Sequence, residues 1–261
     1  MKKIIVFFVI LIATCHITNG QQGENNPIIK VLSFNIYHGE NTQGKSNIDA
    51  IATLINQLQP DFVGLQEVDV TTERSNFTDI STLLGYRTKM HPVFAKAMDF
   101  NKGEYGVTLL SKHSFKAVQR HNLPNTTNSE PRVLIAVNTM FNKQELRVLN
   151  THFDHDKNDS LRIIQANYIN KLFCQDNYPK ILIGDLNALP NSKPIHHLKK
   201  YWKLSDESNP PLATYPSDTP SKKIDYIMVY PANKWKVLES RVINTGETSD
   251  HLAYFVSLQL L

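Results

Sequence analysis

Apolar runs of strand length that break off at a residue able to bind a cation or carry a proton set the tightest limit on how this chain folds. They are LSFNIYHG with Asn35, VGLQEVD with Glu67, VLNTHFDH with His152, LIGDLNALP with Asp185 and Asn187, KKIDYIMVY with Asp225, and ETSDHLAYF with Asp250 and His251. Runs this apolar belong to buried strands. Such strands need covering layers, and helical segments between them are the natural cover.

Those helical segments are present. Over residues 46–58, Ile48, Ile51, Ala52, Leu54, Ile55 and Leu58 keep helical spacing. Ser46 with Asp49 gives a capping-box start, and Pro60 closes the segment. A short helix is expected over 76–84, ended by Gly85. A longer one is expected over 159–173, with Leu161, Ile164, Tyr168 and Leu172 on one face, and a small one over 193–198. Strands are expected over 28–37, 62–68, 105–110, 133–140, 146–150, 181–183, 223–229, 235–242 and 253–260. With no linker beyond residue 27, this reads as one domain of stacked sheets with helices outside. The pattern alone leaves several α/β and α+β folds open.

The first 20 residues stand apart. Lys2 and Lys3, an apolar run over 4–13, and small or polar residues up to Gly20 read as a secretory signal peptide cleaved before Gln21. The apolar run is short for a bilayer span; an uncleaved anchor is the alternative, and Cys15 behind Thr14 is a poor lipidation site. The expected division is thus a signal peptide over 1–20 and one domain over 21–261. Losing the two lysines of residues 1–20 leaves 26 basic against 24 acidic residues, near +2 instead of +4. That balance gives no strong electrostatic footprint for nucleic acid. Cys174 is then the sole cysteine, so no internal disulfide is expected. Sequons at Asn76, Asn125 and Asn158 matter only where secreted proteins are glycosylated.

Taken singly, each polar strand end has a bland reading. Most such residues serve turns. Asp185-Leu186-Asn187 is open to being a turn bonded to its own backbone, and Asp225 to being a buried carboxylate held by amides. Taken together they fit one mechanism. Asn35, Glu67 and Asp250 offer hard oxygen ligands of the kind Mg²⁺ and Mn²⁺ prefer. No Cys or His cluster has zinc spacing. Phosphate-ester hydrolysis needs a cation, a held water, for which Asp185 and Asn187 are suited, and donors to the non-bridging oxygens, for which two histidines serve. Asp225 is suited to orient His251.

SFNIY, GLQEVD, NTHFD, GDLNALP, IDYI and SDHLAYF, in that order over residues 30–258, resemble the motifs of the endonuclease/exonuclease/phosphatase superfamily. The resemblance implies a deoxyribonuclease I-like α+β fold, a four-layer α/β/β/α sandwich of two packed mixed β-sheets flanked by helices, with the site at one end. It implies that Glu67 binds the catalytic Mg²⁺, with Mn²⁺ as a substitute, and that Asn35 and Asp250 lie near the metal. Asp185 would orient or deprotonate the attacking water and Asn187 would help hold the site. His251, paired with Asp225, and His152 would contact the phosphate from opposite sides. Whether His251 or Asp185 is the general base stays open.

VDVTTERSNFTD, GEYGVTLLSK and SEPRVLIAV resemble stretches of small secreted members. They put Arg74, Tyr105 and Arg132 forward as substrate contacts, against readings as surface ion pairs or a core aromatic. The implied function is a secreted, monomeric, metal-dependent phosphodiesterase or phosphatase. Its substrate is a small or lipid-linked phosphate ester, and no obligate protein partner is implied. A secreted deoxyribonuclease-like nuclease, with nucleic acid as its partner, and a non-catalytic binding module on the same fold are the alternatives. Loops 40–45, 71–77, 98–104, 122–130 and 209–222 are expected to set the substrate. His38, three residues after Asn35, is read as a surface turn, with reach into the site as the alternative; His91, His113, His121, His155, His196 and His197 are read as exposed loop or helix residues.

Overall fold

The computed structural model describes residues 27–261, so the expected signal peptide, its cleavage point and Cys15 lie outside the described residues. The chain runs through β1 (Ile28–Asn35), α1 (Ile48–Leu58), β2 (Phe62–Val70), α2 (Ile80–Thr88), β3 (His91–Phe100), β4 (Gly103–Ser111), β5 (Phe115–Asn122) and β6 (Val133–Phe141). It continues through β7 (Gln144–His152), α3 (Ser160–Phe173), β8 (Lys180–Asp185), α4 (Lys193–Lys199), β9 (Lys203–Leu204), β10 (Asp225–Tyr230), β11 (Trp235–Ile243) and β12 (Ala253–Leu260). The strands form two six-stranded mixed sheets, ordered β11-β12-β1-β2-β4-β3 and β5-β6-β7-β8-β10-β9. Each has one parallel pair near its centre, β1 with β2 and β7 with β8, linked through α1 and α3.

Side chains alternate across each strand, and here both faces are covered. Ile29, Val31, Val107, Leu109, Val148, Ile183, Ile227 and Val256 fill the space between the sheets. Leu32, Phe34, Leu65 and Phe255 pack with Ile51 and Ile55 of α1 and Leu84 of α2. Leu149, Leu182 and Met228 pack with Ala166, Ile169 and Phe173 of α3 and Ile195 and Leu198 of α4. Double coverage explains why the central strands are apolar throughout. The result is the four-layer α/β/β/α sandwich expected from the sequence. Cys174 is buried as a free thiol. Among the described residues, no helix is long and apolar enough to cross a membrane.

Local details depart from the sequence reading. The Ser46–Asp49 capping box does not form. α1 starts after Asn47, whose amide instead donates to the carbonyls of Ile36, Glu40 and Thr248. The short helix expected over 76–84 begins later, with Asp79 accepting from Thr82 N at its cap. Gly85 does not end it. It lies inside α2, where an added Cβ would come 2.7 Å from Pro92 Cγ, so its absence lets the helix sit against β3. On α3, Ile164 and Leu172 are exposed. The buried face instead includes Arg162, Gln165 and Asn170. Each of these satisfies backbone carbonyls of neighbouring segments, two loops and helix α4. Arg162 Nη1 donates to the carbonyls of Asp154 and Asp156, Gln165 to that of Pro124, and Asn170 to that of His197.

Candidate active site

Strand direction alone gathers the polar ends. Asn35, His152 and Asp185 are the last residues of β1, β7 and β8. β10 runs antiparallel to β8 and starts at the same end, with Asp225 in register opposite Asp185. β12 runs antiparallel to β1 and is entered there through Ser249, Asp250 and His251.

Glu67 reaches this end by a bulge. The register between β2 and β4 slips between Leu65 and Val68. Glu67 takes φ 57°, the left-handed region that a residue with a Cβ occupies only when its surroundings enforce it. Asn150 of β7 secures the bulge from the facing sheet. It donates to Leu65 O at 3.0 Å and Thr108 O at 2.8 Å, and accepts from Gln66 Nε2 at 2.8 Å. These bonds tie the sheets together close to the residues that carry the chemistry.

Asp185 is the hub. Its Oδ1 accepts from Asn187 N at 2.9 Å, and its Oδ2 accepts from Asn35 Nδ2 at 3.1 Å. The same Oδ2 lies 3.4 Å from His152 Nε2 and 3.6 Å from His251 Nε2. Burial, then the nearby Asp225 charge, raises the Asp185 carboxyl to about 7 against the pull of His251. Asn35 Nδ2 also donates to Glu67 Oε1 at 3.0 Å, while its oxygen accepts from Tyr37 N at 3.1 Å. Asn35 therefore turns its nitrogen, not its oxygen, toward both carboxylates. It is built to hold them, and the direct metal ligation read from sequence does not suit this orientation.

His251 sits between two acids. Its Nδ1 is 3.0 Å from Asp225 Oδ2, and its Nε2 faces Asp185. Burial alone would lower its pKa, but the charges of Asp225 and Asp185 and the bond to Asp225 raise it to about 10. Tyr215 lies against the ring, with centroids 4.8 Å apart. The side-chain donors of Asp185, Asp225 and His251 lie within 4.8 Å of one another, close enough for a metal. A cation there would have to displace the imidazole proton that both carboxylates stabilise. The better fit is at Glu67 and Asp250. Both line the cleft with hard oxygens, and neither is ion-paired to Lys or Arg among the described residues. Two carboxylates without a Lys or Arg ion pair suit a divalent cation.

The cleft around these groups is about 720 Å³. Arg74, Tyr105 and Arg132, offered as substrate contacts, all line it. Arg74 is committed first to buried Asp69, with Nε and Nη2 at 2.6 and 2.8 Å from the two carboxylate oxygens, and its guanidinium lies over the Phe100 ring at 4.5 Å. Burial, then Glu67, pushes the Tyr105 phenol well above its ordinary value, so it stays protonated. Loops 71–77, 98–104, 122–130 and 209–222 each supply lining residues, whereas 40–45 supplies none.

Sequence reading missed Phe100, Tyr215 and His155, which also line the cleft. His155 was read as an ordinary exposed loop residue. It is exposed, but Arg132 Nη2 holds its Nδ1 at 2.9 Å. Nothing local separates it from the other exposed histidines, because its partner is 23 positions away.

Residues 32–251 match the Endonuclease/Exonuclease/phosphatase family profile. Exodeoxyribonuclease III of Haemophilus influenzae is 27% identical over 178 residues, covering 64% of this chain and 60% of that relative, so the chain matches less than two thirds of the relative's length. A mannosyl-6-phosphatase of Bacteroides thetaiotaomicron superposes with a TM-score of 0.72 at 18% identity, covering 88% of this chain and 99% of the other. The human Nocturnin catalytic domain, solved with a bound sulfate anion, superposes with a TM-score of 0.73 at 20% identity, covering 90% and 94%. At such identities the two structures speak to the fold. The profile match over most of the sequence goes further: the chain belongs to the endonuclease/exonuclease/phosphatase family, whose members are metal-dependent hydrolases of phosphoester bonds.

Proposed function

We propose that the protein is a Mg²⁺-dependent hydrolase of a small or lipid-linked phosphate ester, acting outside the cytoplasm once residues 1–20 are removed. The observation that carries this reading is the presence of two carboxylates without a Lys or Arg ion pair, Glu67 and Asp250, beside the Asp185–His251–Asp225 array in one cleft. Glu67 and Asp250 would hold the ion, which when bound supplies charge neutralisation at the phosphoryl group. Asp185 accepts a proton from the attacking water. Its raised pKa matches that task near neutral pH. His251 faces a carboxylate at each ring nitrogen, so both nitrogens carry protons and the ring donates to the phosphoryl oxygens instead of acting as the base. Asn187, with its backbone N–H on Asp185, keeps that carboxylate oriented.

A cleft of about 720 Å³ is the size of a small-molecule pocket. That supports a compact ester, as does the near-balanced charge of residues 21–261. The basic start and apolar run of residues 1–20 support export. The Haemophilus relative's name favours a second reading, a nuclease. One panel separates the two: bis-p-nitrophenyl phosphate, p-nitrophenyl phosphate, sphingomyelin, an inositol phosphate and plasmid DNA, each with Mg²⁺ and with chelator. Metal-dependent turnover of the small or lipid esters with DNA intact is the expected result. Rapid DNA cleavage selects the nuclease, and no turnover with no Mg²⁺ binding leaves a binding module.

A further inference from the structure

Arg132 connects two imidazoles. Its Nη1 is 3.1 Å from His152 Nδ1 and its Nη2 is 2.9 Å from His155 Nδ1. The Arg132 side chain is only 3% exposed, Nη1 also meets Glu130 Oε1 at 2.8 Å, and Nε has no hydrogen-bond partner among the described residues. Guanidinium N–H groups only donate. An imidazole nitrogen that faces one at hydrogen-bond distance must be the bare, accepting nitrogen. Each ring is therefore neutral, with its proton on Nε2. His152 fits this, since burial and then the Arg132 charge hold it well below the ordinary imidazole range.

We propose that Arg132 presets His152 and His155 as neutral Nε2–H imidazoles, the first donating to Asn187 and the second donating to a non-bridging oxygen of a phosphoryl group entering the cleft. All three residues line that cleft. His155 is then a substrate-binding residue, and Arg132 is a positioning residue instead of a direct phosphate fork. The proposal rests on the phosphoester reading above and adds the side of the cleft that faces the ester group.

One contact tests the assignment. Asn187 Nδ2 lies 3.0 Å from His152 Nε2 and 3.2 Å from Phe153 O. Two donors at 3.0 Å repel. Rotating the Asn187 amide by half a turn brings its carbonyl onto the Nε2–H, at the expense of the Phe153 contact. No rotation gives the guanidinium an acceptor. The conflict therefore resolves on the amide, and Nδ1 stays bare.

Long-range ¹H–¹⁵N spectra of histidine-labelled protein read tautomers directly, with His152→Gln and His155→Gln used to assign the peaks. The expected spectrum at neutral pH has a bare Nδ1 and a protonated Nε2 for both rings. Arg132→Gln is expected to give mixed tautomers. Adding inorganic phosphate is expected to shift the His155 Nε2 signal, and His155→Ala to weaken phosphate binding by about tenfold, the scale of one hydrogen bond to a charged group. An Nδ1–H on either ring of the unaltered protein, or phosphate binding indifferent to His155→Ala, overturns the proposal. The spectra need no turnover. An inactive protein with both Nε2–H tautomers and a phosphate response defeats the hydrolase reading alone, and an active protein with an Nδ1–H defeats this inference alone.

Discussion

His251 donates from Nδ1 to Asp225 Oδ2 across 3.0 Å, with both side chains buried. Asp225 thus fixes the ring's orientation and stabilises its charge while Nε2 points at Asp185. Asp225→Asn keeps the size but removes the charge. Turnover of bis-p-nitrophenyl phosphate is expected to fall on the order of 10²–10⁴-fold, as for other imidazoles that lose an orienting carboxylate. KM should change little, and circular dichroism should report an intact fold. A kcat near that of the unaltered protein would remove the pair from the chemistry.

Asn35 bridges Glu67 and Asp185 through one amide nitrogen, at 3.0 and 3.1 Å. It orients Glu67, the carboxylate proposed to hold the metal, without presenting its own oxygen. Loss of such a supporting partner typically weakens metal binding ~10–100-fold. Mg²⁺ titration should show a loss of that size for Asn35→Ala and a larger one for Glu67→Ala. If Asn35→Ala were the more damaging of the two, its amide would be a direct ligand and the orientation seen here would not be the working one.

The polar strand ends were legible because strand direction decides where they meet. The strands expected over 28–37, 146–150 and 181–183 end within two residues of Asn35, His152 and Asp185, which the structure makes the last residues of β1, β7 and β8. The edge strands β3 and β5 were not legible. Each covers an end of its sheet and leaves most side chains at least partly exposed, so neither has an apolar signature. The buried face of α3 was misread for a related reason. Hydropathy selects Ile164 and Leu172, but Arg162, Gln165 and Asn170 lie inside because they bond carbonyls of neighbouring loops and of α4 that no local pattern reveals. The roles of Asn35 and His155 depend in the same way on partners distant in sequence.

Arg74 was read as a substrate contact, and its pairing with Asp69 gives it a structural task as well. Asp69 is fully buried, and Arg74 and Thr72 Oγ1 both donate to it. Arg74→Met would leave that carboxylate buried without its cation, a change that typically costs about 3–5 kcal/mol. Urea unfolding is expected to register a loss of that order. Adding Asp69→Asn should recover part of it, because the unpaired charge is then gone. Equal stability of Arg74→Met and the unaltered protein would mean that the pair is open to water in solution.

Lys223 gives a pH dependence with a definite sign. Its ammonium is buried with no hydrogen bond among the described residues, 3.9 Å from Asp206 Oδ2 and 3.2 Å from the Tyr254 ring centroid. The Tyr226 ring lies 5.5 Å away on a second side, and the charge of Asp225 also acts on it. Burial lowers its pKa to about 7 against the opposing pull of Asp206 and Asp225. Above that pH the folded protein has released a proton that the unfolded chain keeps until the ordinary lysine range. The unfolded state then binds more protons, so stability rises with pH by up to about 1.4 kcal/mol per unit. Below it both states are protonated and the full penalty of the buried charge applies. Lys223→Met removes the titration. Relative to that variant, the natural protein should gain stability steadily from pH 7 to 10 and be weakest at pH 6, read as the difference in urea midpoints. A difference that stayed flat across this range would mean that water or Asp206 solvates the ammonium in the folded state.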